Sequence, residues 1–213
     1  MIYDVDFATK VAAALLEIKA VVLRPKQAFQ WSSGWLSPIY CDNRLLLSYP
    51  DIRNNIAQGF NKILKEKYPD ADAIVGVATA GIPMATLLAD RTGLPLAYGR
   101  PSAKKHGKQN SIEGRVEKGQ KVVVVEDLIS TGGSSLKVIA ALREQGCEVL
   151  GLLAIFSYDF DLARQQLQAA NVPYHTLSDY NHLLQVAEAN SYIQSSDMET
   201  LKAWRSSPET FGK

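Results

Sequence analysis

The fold of this chain is decided by one stretch, Lys121-Val122-Val123-Val124-Val125-Glu126-Asp127-Leu128-Ile129-Ser130-Thr131-Gly132-Gly133-Ser134-Ser135. Its consecutive valines are β-branched and uninterrupted by polar residues, which predicts a strand buried on both faces, as in a parallel sheet. Residues 130–135 are all serine, threonine or glycine, which favours a turn that a ligand can approach closely. Apolar residues then recur at helical spacing over residues 136–145, and Gly146 stands where a helix would end.

The turn is therefore predicted to lie at a helix N-terminus, where unpaired backbone N–H groups and the helix dipole attract a phosphate. Glu126 and Asp127 stand just before the turn, and two carboxylates would repel a bare phosphate. They fit a ligand that also carries hydroxyl groups or a bound metal at that end, such as a sugar phosphate with a vicinal diol. A strand that ends in a solvated acidic turn is the alternative, and the adjoining Thr-Gly-Gly-Ser turn disfavours it.

Bulk composition limits the class of protein. The chain has 213 residues and a net charge of +1, which predicts a single domain and argues against nucleic acid as a partner. We expect no membrane association, because the longest apolar run is too short to span a bilayer and no signal peptide pattern is visible. Cys41 and Cys147 are far apart in the sequence and indicate no disulfide framework, which favours a cytoplasmic location.

Predicted strands and helices alternate from residue 73 onward. The strands are predicted at 73–77, 94–98, 121–125 and 148–156, and the helices at 82–91, 136–145 and 161–170. This order predicts an α/β fold with a central, mostly parallel sheet flanked by helices, and with ligands at the carboxyl ends of the strands. The turns at 78–81 and 126–135 should then face one crevice. Outside this region we predict helices at 4–23, 52–67, 177–189 and 198–204, and a short hairpin or irregular loop at 28–40.

A long polar loop, residues 99–118, separates the second and third strands. Residues 100–121 contain seven lysines and arginines, against two glutamates. Loops of this length in a compact domain are usually functional or disordered. Because the loop joins strands that flank the phosphate turn, we interpret it as a mobile lid that closes on a polyanion; a solvated flexible loop is the alternative. His106, set among lysines, is a candidate proton donor or hydrogen-bond donor to phosphate.

At this point the chain resembles a known family. Residues 121–135 resemble the ribosyl-diphosphate signature of type I phosphoribosyltransferases. Residues 31–44, together with Lys104-Lys105-His106-Gly107 and Ile112-Glu113-Gly114, are similar to the orotate phosphoribosyltransferase branch of that family. The likeness extends over residues 20–156. It implies a type I phosphoribosyltransferase-like fold in one domain, residues 1–213, with a small N-terminal hood over residues 1–45.

The resemblance also implies a reaction. The 5-phosphoribosyl group of 5-phosphoribosyl 1-diphosphate is transferred to orotate, giving orotidine 5′-monophosphate and pyrophosphate in de novo pyrimidine biosynthesis. Mg²⁺ is the implied cofactor, held by ligand oxygens and water and not directly by the protein. The lid of each subunit is implied to close over the active site of its neighbour, which predicts a homodimer with shared active sites.

Site residues are implied by the same likeness. Glu126 and Asp127 match residues that hold the ribose hydroxyls, and Ser130 matches a position that contacts orotate. The diphosphate is implied to contact Arg100, Lys104 and His106, and the 5′-phosphate to contact Leu128, Ile129, Ser130, Thr131, Gly132, Gly133 and Ser134. The implied catalytic residues are Lys104, His106 and Asp127.

The chain departs from some relatives at several positions. Ser32 and Ala80 stand where some members carry a lysine, and Pro101 replaces a basic residue. Residues 157–160, Ser-Tyr-Asp-Phe, lack an arginine that binds orotate in some members. The group that binds the orotate carboxylate therefore stays open, with backbone amides at 32–37 or Arg44 as alternatives.

Two other functions share the 121–135 element. A phosphoribosyltransferase for another nucleobase would lack the 31–44 segment. A regulator that senses ribosyl diphosphate on the same fold would need a DNA-binding module or a basic RNA surface, and the length and charge of this chain argue against both.

Overall fold

The computed structural model describes residues 1–31, 34–101 and 111–212. The first helix, α1 (Val5–Glu17), begins where the Asp4 carboxylate accepts the backbone N–H of Phe7 at 3.0 Å. Two small antiparallel sheets follow, one pairing β1 (Val21–Leu23) with β4 (Ile39–Cys41) and one pairing β2 (Phe29–Gln30) with β3 (Leu36–Ser37). The predicted helix over 4–23 is therefore too long at its C-terminal end, since the β-branched residues there pair with β4. The hairpin predicted within 28–40 is confirmed by the β2–β3 pairing.

A six-stranded sheet forms the centre of the molecule. After a 3₁₀ helix at Asn43–Ser48, the remaining elements are α2 (Pro50–Lys67), β5 (Ala73–Val77), α3 (Gly81–Thr92), β6 (Leu96–Gly99), β7 (Ile112–Glu113), β8 (Lys121–Ile129), α4 (Gly133–Glu144), β9 (Glu148–Ser157), α5 (Asp161–Ala169), β10 (Tyr174–Asp179), α6 (Tyr180–Ala189), a 3₁₀ helix at Ser195–Asp197, and α7 (Met198–Ser206). The strand order is β10-β9-β8-β5-β6-β7, and every neighbouring pair is parallel except β6 with β7. The predicted, mostly parallel sheet is confirmed.

The valine run of β8 explains its place inside the sheet. Val122, Val123, Val124 and Val125 are each 0% exposed. Because side chains alternate along a strand, Val123 and Val125 join the apolar core that includes α1, α2 and α3, whereas Val122 and Val124 join the core that includes α4 and α5. A strand covered on both faces requires apolar residues at every position, as the sequence predicts.

The chain differs from prediction near residues 174–189. A helix was expected from residue 177, but β10 continues to Asp179, and only then does α6 begin. Ser178 lies within the strand, where it is fully buried and donates its hydroxyl to the carbonyl of Ala8 at 2.9 Å. Asp179 caps the helix by accepting the N–H of His182 at 3.0 Å. Pairing with β9 as a parallel strand therefore outweighs the helical periodicity of the sequence in this segment.

The predicted lid, residues 99–118, lies only partly within the described chain. Its C-terminal half contains β7, which pairs antiparallel with β6 through Gly99–Ile112 and Tyr98–Glu113. The backbone N–H of Arg100 also donates to the carbonyl of Ser111 at 2.7 Å. Both ends of the loop are thus held at the edge of the sheet. Residues 102–110 lie outside the described residues.

Candidate active site

The carboxyl end of β8 leads directly into the predicted phosphate-binding turn, residues 130–135. Gly132 has φ of +83°, in the left-handed region that favours glycine, and it stands at the N-cap of α4. Among the described residues, no side chain caps the N-terminus of this helix. The first N–H groups of α4 are therefore available to an anionic ligand, as the sequence predicted.

A cavity of about 250 Å³ lies at this end of the sheet. It is lined by Ala78, Thr79, Ala80, Glu126, Asp127, Leu128, Ser130, Thr131, Gly132, Gly133, Ser134 and Ser135. The prediction that the turn at 78–81 and the stretch at 126–135 face one crevice is confirmed. Ile129 is not among the lining residues, because its side chain is 1% exposed and packs in the core that includes α4 and α5. It supports the turn from beneath.

Gly81 allows the two walls of the cavity to come together. A Cβ atom at this position would lie 2.5 Å from the carbonyl oxygen of Val125 and 3.2 Å from the Cα of Glu126. Only glycine therefore permits the N-terminus of α3 to lie directly against β8. The segment that lines the cavity just before it contains a cis peptide bond between Ala78 and Thr79.

The two acids of the cavity have different surroundings. Glu126 is 5% exposed, and its carboxyl group accepts the hydroxyl of Ser135 and the backbone N–H of Asp127, each at 3.0 Å. Burial raises the pKa of Glu126 from 4.5 to about 9, and the neighbouring charge of Asp127 adds to the shift. Burial also raises the pKa of Asp127. Both shifts favour the protonated form, so the pair carries less negative charge than two solvent-exposed carboxylates would, which reduces the repulsion toward a phosphate.

Asn43 fixes the position of the acid pair from a distant part of the chain. Its side-chain amide donates to the backbone carbonyl of Asp127 at 2.9 Å, across 84 positions of sequence. Asn43 is 3% exposed, and its Oδ1 atom is buried without a hydrogen-bond partner among the described residues. Sequence reasoning missed this contact, because a polar Asp-Asn-Arg cluster carries no local signal of a partner so far away.

The predicted cations lie in different situations. Arg100 stands after β6, with its Nε 3.7 Å from a Glu113 carboxylate oxygen and its Nη2 3.4 Å from the Tyr98 hydroxyl. Lys104 and His106 lie outside the described residues. Arg44, considered above for the orotate carboxylate, is exposed and paired with both carboxylate oxygens of Asp42, at 2.6 and 2.8 Å. Because its guanidinium already pairs with Asp42, Arg44 is a weak candidate for binding the orotate carboxylate.

In the described ranges, no group of three or more His, Cys, Asp or Glu side chains could hold a metal ion. None of the helices in the described chain combines the length and the apolar character needed to cross a membrane.

Comparisons with known proteins agree with this geometry. The profile of the family described as "Phosphoribosyl transferase domain" matches residues 46–172. Orotate phosphoribosyltransferase from Cytophaga hutchinsonii is 50% identical over 208 residues, covering 98% of this chain and 100% of that protein. The enzyme of that name from Bacillus subtilis is 52% identical over 200 residues, covering 94% and 93%. The crystal structure of orotate phosphoribosyltransferase from Aeropyrum pernix has a TM-score of 0.74 and 31% identity, covering 86% of this chain and 99% of that one.

Proposed function

Because the chain belongs to the orotate phosphoribosyltransferase family, we propose that it transfers the 5-phosphoribosyl group of 5-phosphoribosyl 1-diphosphate to orotate. The products are orotidine 5′-monophosphate and pyrophosphate, in the synthesis of pyrimidine nucleotides. The observation that carries this proposal is the cavity itself. The carboxyl pair and the uncapped N-terminus of α4 line the same space, which has room for a 5-phosphoribosyl group. The enzyme is a pentosyltransferase.

The two ends of the sugar phosphate are bound by different chemistry. The 5′-phosphate accepts hydrogen bonds from the N–H groups and hydroxyls of residues 130–134. The ribose hydroxyls donate to the carboxyl groups of Asp127 and Glu126, residues that line the same cavity. Since Ser135 and the Asp127 N–H already orient the Glu126 carboxyl, the ribose meets a rim that is arranged before binding.

Catalysis depends on charge that develops as the diphosphate leaves. The bond between C1′ and the diphosphate oxygen breaks in a transition state that resembles an oxocarbenium ion, and its electron pair leaves with pyrophosphate. N1 of orotate forms the new bond to C1′, and the N1 proton passes to the departing pyrophosphate. The leaving group gains negative charge, so Arg100, Lys104 and His106 stabilise the transition state more than the ground state. The negative charge of Asp127 beside the ribose stabilises the positive charge on the sugar ring.

Mg²⁺ fits this site as a companion of the substrate. When bound, it neutralises diphosphate charge. Substrate oxygens and water would hold the ion, and the Glu126 and Asp127 carboxyl groups would orient it through that water, because no group of three or more His, Cys, Asp or Glu side chains in the described chain could hold a metal ion directly. Such indirect binding suits a hard cation that gives up its bound waters reluctantly.

The proposal extends to the lid, the hood and the assembly. Residues 99–118 close over the diphosphate and exclude water that would hydrolyse the sugar, and residues 1–45 form the hood. Two chains associate with shared active sites, for which the exposed apolar side chains of Tyr40, Leu45 and Tyr49 supply a surface. The free thiols of Cys41 and Cys147 suit a cytoplasmic location.

One assay tests the reaction. Orotate consumption is followed spectrophotometrically with 5-phosphoribosyl 1-diphosphate and Mg²⁺, and adenine, hypoxanthine and uracil are offered in parallel. We expect turnover of orotate, with the other bases consumed at rates lower by at least about a hundredfold. Turnover of a purine in place of orotate would identify a phosphoribosyltransferase of another specificity, and turnover of no base would reject the proposed function.

A further inference from the structure

A second cavity adjoins the phosphate-binding turn. Its volume is about 380 Å³, within the range of about 300–1,000 Å³ that is usual for small-molecule sites. Thr131 lines both cavities, so the second one opens beside the place where the ribose phosphate would bind. The described residues that line it are Trp35, Thr131, Phe160, Asp161, Leu162, Arg205, Ser206, Pro208 and Glu209.

The walls of this second cavity offer flat apolar surfaces and one cation. Trp35 comes from the segment after β2, and Phe160 precedes α5. Arg205, in the last turn of α7, is the single basic side chain among the described lining residues. A planar aromatic ligand with one negative charge matches this combination, because aromatic faces stack on a flat ring and guanidinium pairs with carboxylate.

Arg205 is held in place but keeps hydrogen-bonding capacity. Its Nη1 donates to the backbone carbonyl of Asp159 at 3.1 Å and to the Asp159 carboxylate at 3.3 Å. Both of its hydrogen bonds within the described chain use Nη1, which leaves Nε and Nη2 for a second carboxylate. The preceding residue, Trp204, is 0% exposed and packs on the rings of Trp31 and Phe160, so α7 is anchored firmly.

The acids that line the second cavity, Asp161 and Glu209, are not the partners of Arg205, which pairs with Asp159. Asp161 pairs with Arg164, and its side chain is 71% exposed. Glu209 is also exposed, at the rim. Asp159 is shared between Arg205 and Arg164, whose Nη1 lies 3.6 Å from the same carboxylate. Arg205 therefore remains the partly buried cation that faces the space beside Thr131.

We propose that Arg205 binds the carboxylate of the acceptor base, and so selects orotate over pyrimidines that lack this group. The inference rests on the proposed function, since it assigns a residue to one of its substrates. The carboxylate is the group that distinguishes orotate from uracil, and a planar guanidinium can receive it through two parallel hydrogen bonds. Arg205 then affects the reaction only by binding orotate, and it takes no part in the bond changes at C1′.

Initial-rate kinetics on the full chain test this proposal, with Arg205→Gln compared with Arg164→Gln. Arg164 is the matched control, because it pairs with the same Asp159 but does not line the second cavity. We expect Arg205→Gln to raise the KM for orotate about tenfold or more, equivalent to about 1.4 kcal/mol. The KM for 5-phosphoribosyl 1-diphosphate should change less than about twofold in either variant.

A competition experiment separates recognition from structural damage. Uracil, used as an inhibitor, should bind wild type and Arg205→Gln equally weakly, because uracil has no carboxylate that Arg205 could bind. An unchanged KM for orotate in Arg205→Gln would overturn the proposal. An increase in KM that is equal for both substrates, and that Arg164→Gln also shows, would overturn it as well. If Arg205→Gln fails to fold, Arg205→Met keeps the aliphatic stem and is expected to show the same selective increase. A wild-type chain that does not consume orotate would instead refute the proposed function.

Discussion

At the residue scale, Glu126 and Asp127 are adjacent in sequence but differ in environment. Glu126 lies beneath α4 and accepts a hydrogen bond from Ser135, whereas the backbone carbonyl of Asp127 is held by Asn43. Burial raises the pKa of both carboxyl groups, since a charge is poorly solvated there. Because the raised pKa favours the protonated form of each carboxyl group, we expect binding of a ligand that brings hydroxyl groups and cations to this rim to be coupled to loss of a proton.

Replacing Asp127 tests the ribose-binding role. Asp127→Asn keeps the shape of the side chain but removes the charge that strengthens its hydrogen bond to a ribose hydroxyl. We expect the affinity for 5-phosphoribosyl 1-diphosphate to fall about tenfold, or about 1.4 kcal/mol, in isothermal titration calorimetry with Mg²⁺. Asp90→Asn, at an exposed position on α3, is the control and should bind as wild type does. Equal affinities for Asp127→Asn and wild type would reject the role.

The buried carboxyl of Glu126 makes stability depend on pH. It keeps its proton in the folded state up to about pH 9, whereas in the unfolded chain it ionises near 4.5. Between these values the folded state binds more protons, so the free energy of unfolding decreases as pH rises. Glu126→Gln does not titrate, and we expect wild type to lose stability relative to this variant across that window, by at most about 1.4 kcal/mol per pH unit.

Urea unfolding at about pH 5.5, 7 and 8.5 measures this difference. Glu144→Gln, at an exposed position on α4, is the matched control and should keep the wild-type slope. Parallel pH profiles for wild type and Glu126→Gln would show that the carboxyl ionises alike in the folded and unfolded chains.

At the element scale, the site is built where two parallel strands end beside each other. β5 and β8 are neighbours in the sheet, and the segments that follow them, residues 78–80 and 130–135, line the same cavity. Gly81 sets the distance between these two connections, because its Cα lies against the backbone of β8. The shape of the cavity thus depends on the packing of α3 as much as on the phosphate-binding turn.

Gly81→Ala should disturb this packing. The added Cβ would lie 2.5 Å from the Val125 carbonyl oxygen, which is backbone and cannot rotate away. We expect a loss of about 1–3 kcal/mol in the free energy of unfolding, measured by urea denaturation, together with weaker binding of 5-phosphoribosyl 1-diphosphate. At Gly133 an added Cβ would meet only Thr131 Oγ1, at 3.9 Å, so Gly133→Ala should not lower stability. Similar stabilities for the two variants would contradict the expected clash.

At the scale of the whole molecule, the N-terminal and C-terminal parts of the chain enclose the same end of the sheet. Trp31 stacks on Tyr158 with 5.3 Å between ring centroids, and it meets Trp204 of α7 edge to face at 5.7 Å. This aromatic cluster joins the β2–β3 hairpin to α7. The position of Arg205 therefore depends on residues from both ends of the chain.

The proposed dimer is also tested at this scale. Leu45 and Tyr49 are 42% and 43% exposed, and aspartate at both positions would place charges in a buried interface. We expect Leu45→Asp/Tyr49→Asp to shift sedimentation from dimer toward monomer, with loss of activity at low protein concentration. Tyr192→Asp is the control, since Tyr192 is 52% exposed and lies far from this segment in sequence. A monomeric wild type, or a double variant that stays dimeric, would contradict the proposed surface.

The sequence by itself determined the sheet, the small-residue turn at 130–135 and the acid pair. The valine run, the small-residue turn and the following helix are contiguous, and periodicity and backbone preference act over such short distances. Local pattern was not enough at residues 174–179, where pairing with β9 makes a strand of a segment whose C-terminal part was predicted as helix. Only the tertiary structure placed Asn43 on Asp127, 84 positions away, and Arg205 on Asp159, 46 positions away. Such contacts form because packing brings distant segments together, and no local pattern encodes them.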